Sequence, residues 1–320
     1  MPGGRQVTLS PQENTMLCEL TQSGTLRVSG DDAQSFLQNL LSNDIRELDA
    51  PRAQYSSLNT PKGRALATML VFRADDAYLL HLPRALCEPL RKKLSMYVLR
   101  SKVQITDVSD TVVALGLAGA QAQEIVRERF GELPPLPLGI VRADTTRAVR
   151  IGNDRFMMIT AAQDAPALRQ ALEQRTRHAG SEYWDWLDIR AGIPAILPAT
   201  QEEFVPQMIN FDLIGGVNFK KGCYPGQEIV ARMQYLGKPK RRMYLAHLDA
   251  ATVPQAGDEL FSADMEGQSS GMIVNAAPAP DGGFDALAVV QTASHDAFPV
   301  HLGALTGARL QFQPLPYPLP

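Results

Sequence analysis

One stretch of the 320-residue chain concentrates chemical capability: Asn218 to Arg232, NFKKGCYPGQEIVAR. Lys220 and Lys221 stand immediately before Gly222-Cys223, Pro225-Gly226 marks a turn, and Gln227 opens a segment able to start a helix. A thiol beside ammonium groups and just ahead of a helix N-terminus has its thiolate favoured by charge and by the helix dipole. Only the thiolate attacks an electrophile or binds a soft metal. The same residues admit a plainer reading, in which Cys223 is a small apolar filler. Between 220 and 242 there are seven basic residues and one acidic one, Glu228. In a chain of net charge −3 that is a local positive patch. It suits phosphates or carboxylates, or it is a solvated face without a ligand. Upstream lie Trp184 and Trp186, the two tryptophans. Each either stacks on a flat heteroaromatic ring or packs in the core.

The rest of the composition limits what this site can belong to. The chain is 45% hydrophobic and 20% charged, which is globular and not disordered. Lys plus Arg number 31 against 34 Asp plus Glu, so binding of nucleic acid by bulk charge is excluded. The segment also lacks the aromatic–basic alternation of common RNA modules, and direct nucleic-acid binding is not expected. Apolar runs such as TVVALGLAGA fall short of the roughly 20 residues of a membrane helix. The opening MPGGRQVTLS has no charged-then-apolar leader pattern. Cys18, Cys87 and Cys223 are the three cysteines. Their odd number and wide spacing disfavour a disulfide framework and a self-sufficient metal site, and point to the reducing cytoplasm. A cluster held by this chain alone would want four soft ligands.

The surrounding elements read as mixed α+β. Strand-like residues 15–30 precede Asp31-Asp32, a helix-cap signal, and then AQSFLQNLL with Phe36, Leu37, Leu40 and Leu41 on one face. The turn Thr60-Pro61-Lys62-Gly63 leads into ALATMLVF, which with AYLLHL forms an antiparallel hairpin. Residues 84–98 read as a helix with Pro89 inside it. The order then recurs: VVALGLA, helical QAQEIVRERF, a Pro-rich loop, strands at 147–151 and 155–160, and a helix over 164–178. This pattern suggests two related α+β lobes. The domain reading is a first lobe over 1–110 (with a contribution from 195–240), a second over 111–194, and a small β-barrel over 241–320. The closing QPLPYPLP favours an extended conformation, as a ligand for a Pro-recognising domain or as a stiff tail along its own barrel.

The string KKGCYPGQE resembles the signature of the YgfZ family, folate-binding proteins related to the aminomethyltransferase (T-protein) of the glycine cleavage system. VSGDDAQSFLQNLLSND, LNTPKGRALATMLVFR, DIRAGIP, FVPQ…N, GQEIVARMQYLGKPKRR and the terminal PLPY match in the order the family requires, over essentially the whole chain. The resemblance implies two ferredoxin-like α+β lobes and a C-terminal antiparallel β-barrel in a ring around a folate-sized opening. It implies tetrahydrofolate or another folate as ligand, and a role with iron–sulfur enzymes or assembly proteins, including enzymes that modify tRNA. The family's functional cysteine falls on Cys223, with Lys221, Gly222, Tyr224, Gly226, Gln227 and Glu228 carried over beside it.

Two departures separate the chain from true aminomethyltransferases. Where those carry paired aspartates after the hairpin turn, this chain has Ala67 and Thr68. Where they carry a pterin-gripping glutamate, it has Arg190. Proton transfer at a folate nitrogen needs a group of suitable pKa within reach, so glycine-cleavage activity is not expected. Trp184 is the stacking choice for a pterin, Arg190 or the basic patch for the folate carboxylates, and Asn59 and Lys62 face the opening from the hairpin turn. The competing readings are a glycine-cleavage-type aminomethyltransferase and an RNA-binding module using the 220–242 patch.

Overall fold

The structure, a computed structural model, describes residues 15–320 except 50, 136 and 238, and except the side chain of 236. The opening ten residues and Lys238 of the basic run therefore lie outside it. The fold is mixed α+β. Its contacts gather into two compact units. One is Ser109–Ser181 with Pro51–Ala53 and the segment ending at Thr21; the other is Gln22–Ala50, Gln54–Val108 and Glu182–Pro320. Among the described residues no helix is long and apolar enough to cross a membrane.

The recurring order read from the sequence is present as strand, helix, three strands, helix, strand, once over 23–107 and again over 112–179. The recurrence extends to sheet topology. The first run lines up as Ala53–Asn59, Ala65–Ala74, Ala77–Pro83, Ser23–Ser29, Gln104–Asp107. The second lines up as Ile140–Ala143, Thr146–Gly152, Arg155–Ala161, Val112–Gly119, then Thr15–Glu19, then Arg177–Ala179. The order is the same with one strand inserted. Thr15–Glu19, adjacent in sequence to the first run, pairs antiparallel with Val112–Gly119 and parallel with Arg177–Ala179.

Local chemistry explains the elements. Helix Arg84–Val98 buries Leu86, Cys87, Leu90 and Leu94, the i, i+1, i+4, i+8 stripe of an amphipathic helix. Pro89 and Ala85 are both exposed, so the helix carries its proline on the solvent side. Strand Ala65–Ala74 is almost wholly buried, as befits a strand covered on both faces.

Residues 241–313 form a six-stranded antiparallel sheet ordered His301–Leu302, Glu259–Phe261, Ser269–Pro278, Phe284–Gln291, Arg241–Leu248, Gln311–Gln313. Side-chain alternation gives it two apolar faces. Met243, Leu245, Leu287 and Val289 join the core of the first run, whereas Tyr244, Ala246, Ala288 and Val290 enclose a smaller core with Leu260 and Val300. The terminal tail lies along this sheet: Leu315 packs on the large core, Leu319 on the small one, and Tyr317 donates to the Gly192 carbonyl at 2.7 Å. Of the two readings of QPLPYPLP, the stiff tail holds.

Candidate functional site

Two turns meet at the centre of the site, both within the larger unit. The Thr60–Gly63 turn joins the first two strands of the hairpin run, closed by Gly63 N–H donating to Thr60 O at 2.9 Å. The second turn, Tyr224–Gly226, enters the helix Gln227–Leu236, and Gly226 is its N-cap at φ 78°. A Cβ on Gly226 would stand 2.4 Å from Thr60 O, 2.5 Å from Gly63 Cα and 2.6 Å from Gly63 N. Only a glycine permits both the left-handed φ and this backbone-on-backbone approach. The PKG and YPG segments, 163 positions apart from Gly63 to Gly226 (226 − 63), are thus one structural joint.

Cys223 directly precedes the second turn and is exposed, whereas Cys18 and Cys87 are buried. Gly222 before it meets open space. The two lysines have different fates. Lys220 is exposed. Lys221 is 5% exposed, and its ammonium donates to Gln38 O at 2.6 Å, Asn43 O at 3.2 Å and Leu41 O. All three ammonium protons are thereby engaged. These acceptors include the last carbonyl of the helix Ala33–Gln38, that of Gln38, so the cation closes that helix at its negative end. The helix stops at Gln38, short of the AQSFLQNLL stretch expected, and Lys221 sits where it stops. Burial pulls the Lys221 ammonium down to about 8, opposed by the charge of Asp44. Tyr224 is buried with its ring 5.1 Å from that ammonium, and desolvation pushes its phenol up to about 12.

The other motif residues are divided between fastening and exposure. Gln227 reaches back to Lys221 O at 3.5 Å. Glu228 is exposed and pairs with Arg232 at 2.7 Å, one helical turn on. Asn59, the last residue of its strand, is 3% exposed, and among the described residues neither its amide oxygen nor its nitrogen has a partner. Lys62, at the tip of the turn, is exposed. Trp184 is buried at 6% exposure. Arg190 gives its guanidinium to Gln313 Oε1 and to Asp285 Oδ2, the latter at 3.5 Å. Ala67 and Thr68, where the resemblance would place the transferase aspartates, are buried. The Thr68 hydroxyl donates to Pro194 O at 3.2 Å and accepts from Ile196 N at 3.0 Å, so it ties the strand to the 194–196 segment.

Several supporting residues escaped the sequence reading. Gln207 donates to Val230 O of the motif helix at 2.6 Å, and Asn210 donates to Met243 O at 2.8 Å. Arg242 forms a buried two-pronged pair with Asp212, at 2.8 and 3.1 Å, and also donates to Gln207 O. The FVPQ…N stretch contained the signal, since two amides in an apolar segment need buried partners. Asp285 gave no signal. Its buried carboxylate gathers Trp186 Nε1 at 2.8 Å, His247 Nδ1 at 2.9 Å and Arg190. Trp186 is thus fixed by its indole N–H, and the helix Ser181–Arg190 is fastened to the C-terminal sheet.

The fold is of the class seen in the glycine cleavage aminomethyltransferases. Residues 9–134 match the family described as the GCVT N-terminal domain. The whole fold resembles the glycine cleavage system aminomethyltransferase T from Bartonella henselae, with a TM-score of 0.75, 19% identity, and coverage of 96% of this chain and 87% of that one. Sequence narrows the class. The tRNA-modifying protein YgfZ of Enterobacter sp. (strain 638) is 31% identical over 317 residues, 98% of this chain and 97% of that protein. That of Klebsiella pneumoniae (strain 342) is 30% identical over 320 residues, again 98% and 97%. The chain belongs to the YgfZ family.

Proposed function

We propose that this chain is a folate-binding accessory factor for iron–sulfur enzymes, including ones that modify tRNA, and that it acts through Cys223. The observation that carries the reading is that Cys223 is the exposed thiol of three, mounted on a turn that two glycines and Lys221 hold in place. The name of its relatives, tRNA-modifying protein, supports the process served. In this reading the lobes are ferredoxin-like and stand with a C-terminal barrel in a ring around a folate-sized opening, and the protein works in the cytoplasm. As thiolate, Cys223 serves as a transient iron ligand, a redox group or an acceptor of a one-carbon fragment.

The residues fit a folate unequally. Asn59 presents a buried amide with donor and acceptor both unused, and such a group is costly unless something pairs with it. A pterin edge offers the complementary pattern. Lys62 offers a cation to a carboxylate tail. In this reading Trp184, which is buried, and Arg190, which is engaged with Asp285, contribute less to holding the ligand than Asn59 and Lys62. Folate supplies one-carbon carriage when bound. Asn59 and Lys62 would hold it, and the Gly63–Gly226 joint would keep the thiol's turn against the strand that bears Asn59. The aminomethyltransferase alternative lacks a carboxylate at 67 or 68, and the Thr68 hydroxyl is already engaged on both sides.

The test is complementation in a strain lacking the protein. Cys223→Ser should fail to restore iron–sulfur enzyme activity, whereas Cys87→Ser should restore it. Full rescue by Cys223→Ser would end the thiol reading. Saturable tetrahydrofolate binding, weakened by Asn59→Leu, checks the ligand; absence of binding to the intact protein would remove folate from the account. Rapid methylene-tetrahydrofolate formation from an aminomethylated lipoyl carrier would restore the transferase alternative.

A further inference from the structure

The motif surface carries a feature that the proposed function does not use. Tyr235, in the last turn of the motif helix, is 70% exposed. Its ring meets that of Phe219 edge to face, with centroids 6.2 Å apart and planes at 71°. Phe219 is itself half-buried and packed on the large core. The pair is therefore a rigid platform, anchored at one ring and open at the other. An edge-to-face contact leaves at least one face of the Tyr235 ring free.

The surroundings of the ring are cationic and polar. Lys220 follows Phe219 directly, is exposed, and has no ion pair among the described residues. Arg232 lies one helical turn before Tyr235, where i and i+3 side chains are neighbours. It is held by Glu228 in an exposed pair of the kind that contributes little and that a phosphate can replace. Among the described residues from 200 to 250, Tyr235 is the one large apolar side chain that is exposed. A protein-docking site would surround its aromatic anchor with further apolar surface. A lone stacking face with cations at its edge is instead the pattern for an unpaired nucleobase and its phosphates. The sequence does not show this alternation, because the two rings are 16 positions apart (235 − 219) and folding brings them together.

We propose that single-stranded RNA docks on this surface, with one base stacked on Tyr235 and the adjoining phosphates on Lys220 and Arg232, next in the chain to Cys223. The inference goes beyond the reading above and rests on it in one respect, that the enzymes served include ones that act on tRNA. The test is fluorescence anisotropy of the full chain with labelled oligoadenylate of about 12 nucleotides, within the usual site size for such surfaces. Tyr235→Ala should weaken binding about 5- to 150-fold, the range for loss of one stacked base. Tyr235→Phe should stay within about twofold of the parent. Lys220→Ala should lower the salt slope by about 0.7. Tyr235 is exposed, so an unchanged unfolding midpoint in Tyr235→Ala separates lost contact from lost fold.

No binding at low salt, or equal affinity of Tyr235→Ala and the parent, would overturn the proposal. So would displacement of the RNA by polyglutamate at matched charge, which would make the surface a site for acidic proteins. Rescue by Cys223→Ser alongside intact, Tyr235-dependent RNA binding would remove the thiol reading and leave the docking surface standing. Failure of RNA binding alone would do the reverse.

Discussion

Replacing Gly226 by alanine tests the joint on which the thiol's turn is mounted. The new methyl carbon would fall 2.4 to 2.6 Å from three backbone atoms, Thr60 O, Gly63 Cα and Gly63 N. No side-chain rotation relieves those contacts, because the neighbours are main chain. Alanine at φ 78° costs about 1 kcal/mol from the left-handed conformation alone. Forcing a methyl group into a filled site adds about 1–3 kcal/mol. The expected loss is therefore about 2–4 kcal/mol. Urea unfolding followed by tryptophan fluorescence reads it, since Trp184 and Trp186 both lie in the unit that contains the joint. Gly222→Ala is the matched control, four positions away (226 − 222) and with nothing within 4 Å of its Cβ. It should stay within about 0.5 kcal/mol of the parent, as open surface positions do. If Gly226→Ala proved as mild as Gly222→Ala, the two turns would not be in contact, and the account of how Cys223 is positioned would fall.

Two further measurements follow from the same structure. Lys221→Met removes three charge-assisted hydrogen bonds and leaves the Gln38, Leu41 and Asn43 carbonyls without their donor. It should cost about 2–3 kcal/mol in the same urea assay, and a change below about 0.5 kcal/mol would show that the ammonium is not a fastener. Burial holds the His81 imidazole at about 4, against 6.5 for the free group. The unfolded chain then binds the extra proton between those values, so stability is complete above pH 6.5 and falls as pH drops toward 4. The ring is only half-buried by exposure, which limits the loss to about 2–3 kcal/mol. His81→Gln should flatten the dependence of the urea midpoint between pH 7 and 4.5; identical slopes in the two proteins would contradict it.

Local pattern carried much of this into view. The helix over 84–98 has the boundaries its apolar stripe predicts, and the Pro-Gly turn before Gln227 does start a helix. Both are set by residues near in sequence. The partners were not legible. Thr15–Glu19 reads as a strand, but nothing in its alternation says that it joins residues 112–179 and not 23–107. The helix expected over 164–178 stops at Glu173, because Arg177–Ala179 is taken as a strand beside Met16–Cys18. Lys221 read as a cation for the thiol, whereas its reach to Gln38, Leu41 and Asn43 depends on a contact across some 180 positions. Chemistry at one position can be read from residue type; the counterpart it finds depends on the fold.

The inserted strand constrains how the molecule is made. Residues 15–19 leave the ribosome about a hundred positions before Val112–Gly119 and about 160 before Arg177–Ala179. Until then both edges of that strand have open hydrogen-bonding groups, a condition that invites wrong pairing. Loop closure over such spans is slow compared with formation of a local hairpin. The sheet of the smaller unit therefore cannot be completed before more than half of the polypeptide has been synthesised, and a nascent chain paused before that point exposes an apolar ribbon to chaperones and to neighbouring copies of itself.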